Sequence, residues 1–187
     1  AASDVYKRQE MGMLHRNVIF RGSDVIPHAI SSLDVRNQKE FFDQLDAACI
    51  EPCEVLTIPH NTNYSWGLAF SRTDEGGSAY SSKDLERRSQ IERLFEVTQQ
   101  KGTSECQISV GASDEDCDYG IMFPPCKGSD DQRCARDSSF LRNILLDGLA
   151  LGATETINPY KLGVIGSTDT HLSDPGYVPK GVPARFN

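Results

Sequence analysis

Short apolar runs alternate along this chain with segments in which apolar residues recur every three or four positions. The runs are too short for helices and rich in β-branched or aromatic residues, so they predict strands. Their positions are 15–20, 55–58, 94–98 and 162–166. The helical spacing predicts helices over about 38–48, 83–93 and 138–151. Strands that alternate with helices indicate an α/β layered fold or a partial β/α barrel.

Capping residues and apolar stripes define the predicted helices more closely. Ser82 can cap the second helix, in which Leu85 and Ile91 would face inward. Ser138 and Ser139 begin the third helix, and Gly152 is placed to end it. The residues predicted to form the inward face of the third helix are Phe140, Leu141, Ile144, Leu145 and Leu149.

Two of the predicted strands end in side chains that can bind a metal. Proline cannot donate to a central ladder, so Pro59 should end its strand and leave His60 at the tip. The strand at 162–166 has the composition of a strand covered on both faces, and Asp169-x-His171 follows it. Side chains two apart on an extended backbone point to the same side, so Asp169 and His171 would project together. All three would lie where α/β folds place their chemistry.

A carboxylate and imidazoles at one edge of a sheet suit a divalent cation. The alternative is structural, with Asp169 as a turn residue and each histidine as a satisfied or surface side chain. The chain contains only four histidines. Two histidines at strand ends are therefore harder to attribute to chance, and both interpretations stay open on spacing alone.

Composition limits the classes of function. Charged residues make up 25% and hydrophobic residues 38% of the 187 positions, which is typical of a globular domain. The formal charge is −8 and no basic stripe alternates with aromatic residues, which argues against a nucleic-acid surface. No apolar run approaches the length of a membrane span. We expect a small-molecule substrate, and the sequence leaves the oligomeric state open.

The six cysteines fall into three closely spaced pairs. Zinc clusters usually contain two tightly spaced CxxC-type pairs, which this chain lacks. Short-range disulfides in an exported, periplasmic protein are the preferred interpretation, and free thiols are the alternative. The expected partners are Cys49–Cys53, Cys106–Cys117 and Cys126–Cys134.

Two segments stand apart from the alternating pattern. Residues 102–137 are rich in Gly, Asp and Cys, and predict a long irregular insertion. Residues 1–9, AASDVYKRQ, share no periodicity with the rest and look like translated adapter sequence from an assembly. We therefore expect the protein proper to begin at about Glu10, inside a domain.

Four motifs together resemble the family catalogued as domain of unknown function 3604. In chain order they are LHRNVIFRG, VLTIPHNTNYSWG, FEVTQQKGTSEC and NPYKLGVIGSTDTH. That family looks like a branch of the polymerase-and-histidinol-phosphatase (PHP) superfamily of metal-dependent phosphoesterases, which are distorted β/α barrels. The resemblance implies that residues 10–187 are the C-terminal part of one such domain, with a Cys-rich loop insertion.

The resemblance also implies a set of metal ligands. In the PHP pattern, two or three metals are held by an amino-terminal His-x-His, a Glu, two single histidines and a closing Asp-x-His. The closing motif corresponds to Asp169 and His171, and the single histidines to His15 and His60. The amino-terminal His-x-His and the Glu have no counterpart here. This chain would therefore carry about half of the site and would be inactive alone.

Such a site would hydrolyse a phosphoester through a metal-activated water, and no side chain is assigned as the nucleophile. The ligand types suit zinc, manganese or iron. Asn61, Asn63, Lys101 and Glu105 are candidates for binding substrate or for orienting ligands, with ordinary loop residues as the alternative. Two other functions stay open, an exported binding protein with a degenerate metal centre and an amidohydrolase-type enzyme that cleaves C–N or ester bonds.

Overall fold

The computed structural model describes residues 12–74, 77–128, 131, 133–155 and 157–171. These residues form a mixed α/β fold with three α-helices and seven short strands. The helices are α1 (Gln38–Ala48), α2 (Ser82–Ile91) and α3 (Leu141–Thr154). The strands are β1 (Arg16–Arg21), β2 (Glu54–Pro59), β3 (Leu94–Gln99), β4 (Gly102–Thr103), β5 (Gln107–Ile108), β6 (Gly111–Ala112) and β7 (Gly163–Gly166). The segment 1–9, interpreted above as adapter sequence, lies outside the described residues.

β1 and β2 form an antiparallel pair over their whole length, from Arg16 opposite Pro59 to Arg21 opposite Glu54. β2 ends at Pro59, as predicted from the missing proline donor. Because the pairing is antiparallel, the residue before β1 lies beside the residue after β2. The backbone N–H of His60 donates to the carbonyl of His15 at 3.2 Å.

β3 is the central strand of a second sheet, antiparallel to β4 and parallel to β7. β2 packs beside β3 and runs in the same direction. Before the amino end of β3, Glu92 accepts from Thr57 Oγ1 within β2, at 3.3 Å. At their carboxyl ends, Asn63 Nδ2 donates to the carbonyl of Lys101, at 2.8 Å. The carboxyl ends of β2, β3 and β7 therefore face the same side of the molecule.

The expectation that the strand at 162–166 is covered on both faces is wrong. β7 pairs with β3 on one side, and no described strand pairs with its other side. Val164 is 53% exposed although it lies beside the fully buried Phe95 in the parallel register. An apolar run predicts a strand but not its neighbours. The described strands form three separate sheets without a closed barrel, so a PHP-type barrel stays a prediction.

The first two helices are close to their predicted bounds. Asn37 caps α1 by accepting from the N–H of Glu40 at 2.8 Å. Ser81, not the predicted Ser82, caps α2, and it forms a reciprocal capping box with Asp84. Leu85 and Ile91 are buried as predicted.

The third helix begins later than predicted because the insertion supplies its cap. Leu141 and Arg142 donate their N–H groups to the carbonyls of Ser104 and Glu105, at 2.9 and 3.2 Å. Ser138 instead donates its hydroxyl to the carbonyl of Gly67 at 2.7 Å.

The inward face of α3 is narrower than predicted, and the helix continues past Gly152 to Thr154. Leu141 and Ile144 are buried, but Leu145 and Leu149 are 37% and 65% exposed. The predicted stripe is therefore wrong at these two leucines. Gly148 completes the inward face because its missing side chain leaves room for Asn158 and Tyr160.

The main core joins β1, α1, β3 and α3 around Phe41, Phe70, Phe95 and Ile144. A charged cluster lies within it. Glu92 accepts from Arg16 Nε at 2.8 Å and from Arg88 Nε at 2.7 Å, and all three side chains are almost fully buried. Burial alone would raise the pKa of the Glu92 carboxyl, but the two guanidinium groups outweigh it and hold that pKa below its ordinary value.

The predicted disulfide pairing is confirmed. Cys49–Cys53, Cys106–Cys117 and Cys126–Cys134 are all bonded, with Cα–Cα distances of 5.1, 5.2 and 4.9 Å. Two of the three bonds lie in the insertion, whose described residues form only two-residue strands and 3₁₀ turns as regular structure. Within the described part of the chain, no helix is long and apolar enough to cross a membrane.

Candidate functional site

Side chains that were predicted from three separate motifs meet at the carboxyl ends of β2, β3 and β7. Asn63 follows β2 and donates to the carbonyl of Lys101, which follows β3. The Lys101 ammonium in turn contacts the carboxylate of Asp169, which follows β7. This chain of contacts joins the three strand ends directly. We refer to the surface formed by His15, His60, Asn61, Asn63, Lys101 and Asp169 as the carboxyl edge.

His15 and His60 lie side by side at the carboxyl edge. Their ring centroids are 5.6 Å apart and the rings meet edge to face at 72°. His60 is 8% exposed. The antiparallel β1–β2 pairing explains why His15 reaches this edge although it precedes its strand. The two histidines that the resemblance implies as metal ligands therefore lie next to each other at one end of the β1–β2 pair.

The turn after His60 is buried and polar. Asn61 has a left-handed backbone with φ of 59°, and its carbonyl accepts the N–H of Tyr64 at 2.9 Å. Asn61 is 1% exposed, yet neither its amide nitrogen nor its amide oxygen has a hydrogen-bond partner among the described residues. The hydroxyl of Thr62 is also buried without a partner in the described part of the chain. Unsatisfied buried polar atoms cost free energy, so the turn that follows His60 contains polar groups that a bound polar ligand would satisfy.

Asn63 has a different role from Asn61 because all its polar atoms are satisfied. Its side-chain oxygen accepts from Ser104 Oγ at 3.1 Å, and its own N–H donates to the same hydroxyl at 3.1 Å. Together with the bond to Lys101, these contacts fasten the turn after β2 to the start of the insertion. Asn63 therefore holds the carboxyl edge together, which agrees with an orienting role.

The predicted extended backbone at Asp169 is wrong, because this residue has a left-handed conformation. Its φ is 52°, a left-handed value that is uncommon outside glycine, asparagine and aspartate. Gln100 contacts the backbone carbonyl of Asp169 through its amide nitrogen. Lys101 contacts the side-chain carboxylate. The side chains of Lys101 and Asp169 are 21% and 18% exposed, so the ion pair is accessible from solvent.

Two candidate residues are not brought into these contacts. His171 is exposed, and no contact joins it to His15 or His60 in the described structure. Glu105 points to α3, where its carboxylate accepts from Arg142 Nη2 at 2.7 Å. Arg142 also binds Asp114 at 2.9 Å, so Glu105 belongs to an exposed ion-pair network that ties the insertion to α3.

The whole-chain comparison identifies the family. Residues 5–178 match the family described as Protein of unknown function (DUF3604). This chain belongs to the DUF3604 family. No curated protein and no solved structure matches the chain. The family assignment therefore carries no established activity with it, and the residues of this DUF3604 protein have to support any function.

One polar residue near the carboxyl edge is missing from the sequence-based candidates. Glu96 lies within β3 and is 4% exposed. Its carboxylate accepts from Gln99 Nε2 at 2.7 Å and from the hydroxyl of Ser167, just after β7. A glutamate inside an apolar strand, Leu94-Phe-Glu-Val97, is the signal that points to it, because carboxylates are rarely buried unless they are hydrogen-bonded.

The donor set of this DUF3604 protein fits a divalent cation in part. His15 and His60 supply two imidazoles close together, which is a common pair of ligands for zinc and similar ions. The carboxylate of Asp169 is at the same edge but contacts Lys101. No group of three or more His, Cys, Asp or Glu side chains suited to a metal occurs among the described residues. The described residues therefore bring together two of the predicted ligands, His15 and His60, but not a complete ligand set.

Proposed function

We propose that this DUF3604 protein is a metal-dependent hydrolase whose substrate is a phosphoester. The observation that carries the proposal is the pairing of His15 with His60 at the carboxyl edge. Asn61, the next residue in the chain, has a buried side-chain amide without a partner among the described residues. The resemblance to the PHP superfamily supports the reaction class. It also supports a barrel-type arrangement of the complete domain, in which β2, β3 and β7 would be consecutive parallel strands.

His15 and His60 would hold the cation, with Asp169 and His171 as the further ligands that the family pattern implies. Zinc, manganese and iron suit this combination of imidazoles and carboxylate. A bound divalent cation would neutralise charge on phosphate oxygens and make a water molecule a stronger nucleophile. Two or three ions would occupy the complete site.

The other residues of the carboxyl edge would bind and orient the substrate. The Asn61 amide has donors and an acceptor to offer, and it lies next to His60 in the chain. Asn63 and Ser104 would keep that turn in place, since their mutual hydrogen bonds fasten it to the insertion. Asp169 would need to leave Lys101 before it could serve as a ligand.

Asp169→Asn tests the proposal in the gene product that includes the amino-terminal His-x-His and Glu of the family pattern. The complete protein should release p-nitrophenol from p-nitrophenyl phosphate or its diester when Mn²⁺ or Zn²⁺ is added. Asp169→Asn should lower kcat/KM by about 100-fold, because a neutral amide is a weaker ligand and offsets none of the cation's charge.

Asp118→Asn is the matched control for that experiment, since Asp118 is exposed in a 3₁₀ turn of the insertion. The control should keep the full rate. Turnover that persists in EDTA, or an Asp169→Asn variant as fast as the control, would refute the metal-dependent hydrolase.

A binding protein with a degenerate metal centre is the second candidate. The contact between Lys101 and Asp169 favours it, because an ammonium group already neutralises the carboxylate that a catalytic cation would need. This candidate predicts ligand or metal binding by the complete protein without turnover of either nitrophenyl ester.

We propose an exported, periplasmic location for either candidate. All six cysteines are in disulfides, which form and persist in oxidising compartments. The amidohydrolase alternative shares the metal chemistry, and no observation at the carboxyl edge favours it over phosphoester hydrolysis.

A further inference from the structure

We infer that Lys101 binds the anionic phosphate group of the substrate and that Asp169 holds the Lys101 ammonium ready until that anion displaces its carboxylate. This inference rests on the proposed hydrolase function and names the residue that would recognise its substrate. It concerns the ion pair at the carboxyl edge, which joins the ends of β3 and β7.

The position of Lys101 is fixed by contacts with its backbone. Its carbonyl accepts from Asn63 Nδ2 at 2.8 Å, and its N–H donates to Gln99 Oε1 at 3.3 Å. The same Gln99 oxygen lies 3.5 Å from Nζ. The backbone of Lys101 is therefore held in place, while the flexible four-carbon side chain allows the ammonium group to change partners.

The ion pair of Lys101 differs from the structural one in the core. The side chains of Arg16 and Glu92 are 1% and 0% exposed, so this ion pair is not accessible from solvent. The Lys101–Asp169 pair is 21% and 18% exposed. A partly exposed pair contributes little to stability and can exchange one anion for another. A ligand can therefore reach the Lys101–Asp169 pair but not the Arg16–Glu92 pair.

The loop after β7 does not depend on Lys101 for its position. Ser167 donates its N–H to the carbonyl of Thr98 at 3.1 Å, and Gln100 donates its N–H to the carbonyl of Thr168 at 3.4 Å. The Gln100 side chain also contacts the carbonyl of Asp169. These contacts join the loop to the end of β3 without involving the Lys101 side chain.

Phosphate is the ligand class that this arrangement favours. An ammonium group forms its strongest hydrogen bonds with charged oxygens, and a phosphate dianion carries more charge than the carboxylate it would displace. Lys101 would thus select substrates that carry a phosphate group.

Titrations with inorganic phosphate in EDTA test the inference on the 187-residue chain without any metal. Lys101→Met should weaken phosphate binding at least 10-fold, and Lys101→Arg should retain most of it because the charge is kept. Asp169→Asn should tighten binding several-fold, since the competing carboxylate charge is removed. Lys161→Met is the matched control, because Lys161 is exposed just before β7 at its opposite end, and it should not change the affinity.

Several results would overturn the inference. If Lys101→Met and Lys161→Met bind phosphate with equal affinity, Lys101 does not bind the anion. If Asp169→Asn binds phosphate with the wild-type affinity, the anion does not displace the Asp169 carboxylate. If neither the wild type nor Asp169→Asn binds phosphate, the inference is also wrong. Phenylphosphonate, which keeps a tetrahedral anion on an organic group, should bind as phosphate does; its exclusion would show a site for free phosphate only.

A negative result in these titrations can be distinguished from a failure of the hydrolase proposal. They use no metal and no turnover, whereas that proposal depends on metal-dependent ester hydrolysis. Thermal melting should show that Lys101→Arg and Asp169→Asn fold like the wild type. Mass spectrometry should show that their three disulfides are intact.

Discussion

Glu92→Gln should lower the free energy of unfolding by about 3–5 kcal/mol, the largest effect of any single charge change that we expect in this protein. Glu92 is 1% exposed and accepts from both Arg16 and Arg88. The substitution keeps the shape but leaves two buried guanidinium groups without a counter-charge. Urea denaturation followed by circular dichroism should show the midpoint moving to much lower urea.

Glu54→Gln is the control for this effect, because it removes the same charge from an exposed pair. Arg21 and Glu54 are 2.9 Å apart but 81% and 64% exposed. Exposed pairs contribute little, so the midpoint should not move. Similar midpoints for the two variants would mean that the buried cluster does not stabilise the fold.

The Glu92 effect should also depend on pH. The pKa of the Glu92 carboxyl is held below its ordinary value in the folded protein. A lowered pKa stabilises the folded state above the unfolded pKa of about 4.3, and this contribution is lost as pH falls through the folded pKa. The stability difference between wild type and Glu92→Gln should therefore be largest above about pH 5 and should shrink below about pH 4.

Removal of the Cys106–Cys117 disulfide, through the double substitution Cys106→Ala and Cys117→Ala, should cost on the order of 3 kcal/mol. The bond closes a loop of 11 residues, and both cysteines are buried. Ser104, two residues before Cys106, donates its N–H to Val97 at 2.7 Å and its hydroxyl to Asn63. Hydrogen exchange should become faster at the Ser104 amide, because the insertion is no longer fixed there.

The matched control is the same double change at Cys49 and Cys53. That bond spans only four residues after α1 and has no contact with Ser104. It should cost less stability and leave exchange at Ser104 unchanged. Equal effects of the two double variants on the Ser104 amide would show that the disulfide does not fix the insertion against the carboxyl edge.

Local chemistry accounts for the parts of the fold that could be predicted from the sequence. Pro59 ends β2 because it lacks a donor, and the cysteine pairs are close enough along the chain to bond without crossing a core element. Strand and helix positions follow from apolar spacing. The start of α3 did not follow, since its first N–H groups are satisfied by Ser104 and Glu105, residues far away in the sequence.

Candidate site residues could be chosen from the sequence, but the contacts between them could not be predicted. His60 and Asp169 were recognisable because each follows an apolar run. The contact of Asp169 with Lys101 joins residues 68 positions apart, and no local pattern encodes it. The hydrogen bond that Glu96 accepts from Ser167, just after β7, likewise joins residues far apart in the sequence. The exposure of Val164 depends on the neighbours of β7, about which the composition of that strand says nothing.

Anomalous diffraction from crystals of the protein grown with Zn²⁺ or Mn²⁺ shows where the protein binds these ions. We expect an anomalous peak at the carboxyl edge, with one ring nitrogen each of His15 and His60 about 2.1 Å from the ion. The peak should vanish in His60→Ala and persist in His28→Ala, which removes an exposed histidine from a loop before α1. Anomalous peaks elsewhere on the protein, with none between His15 and His60, would contradict the proposed metal site.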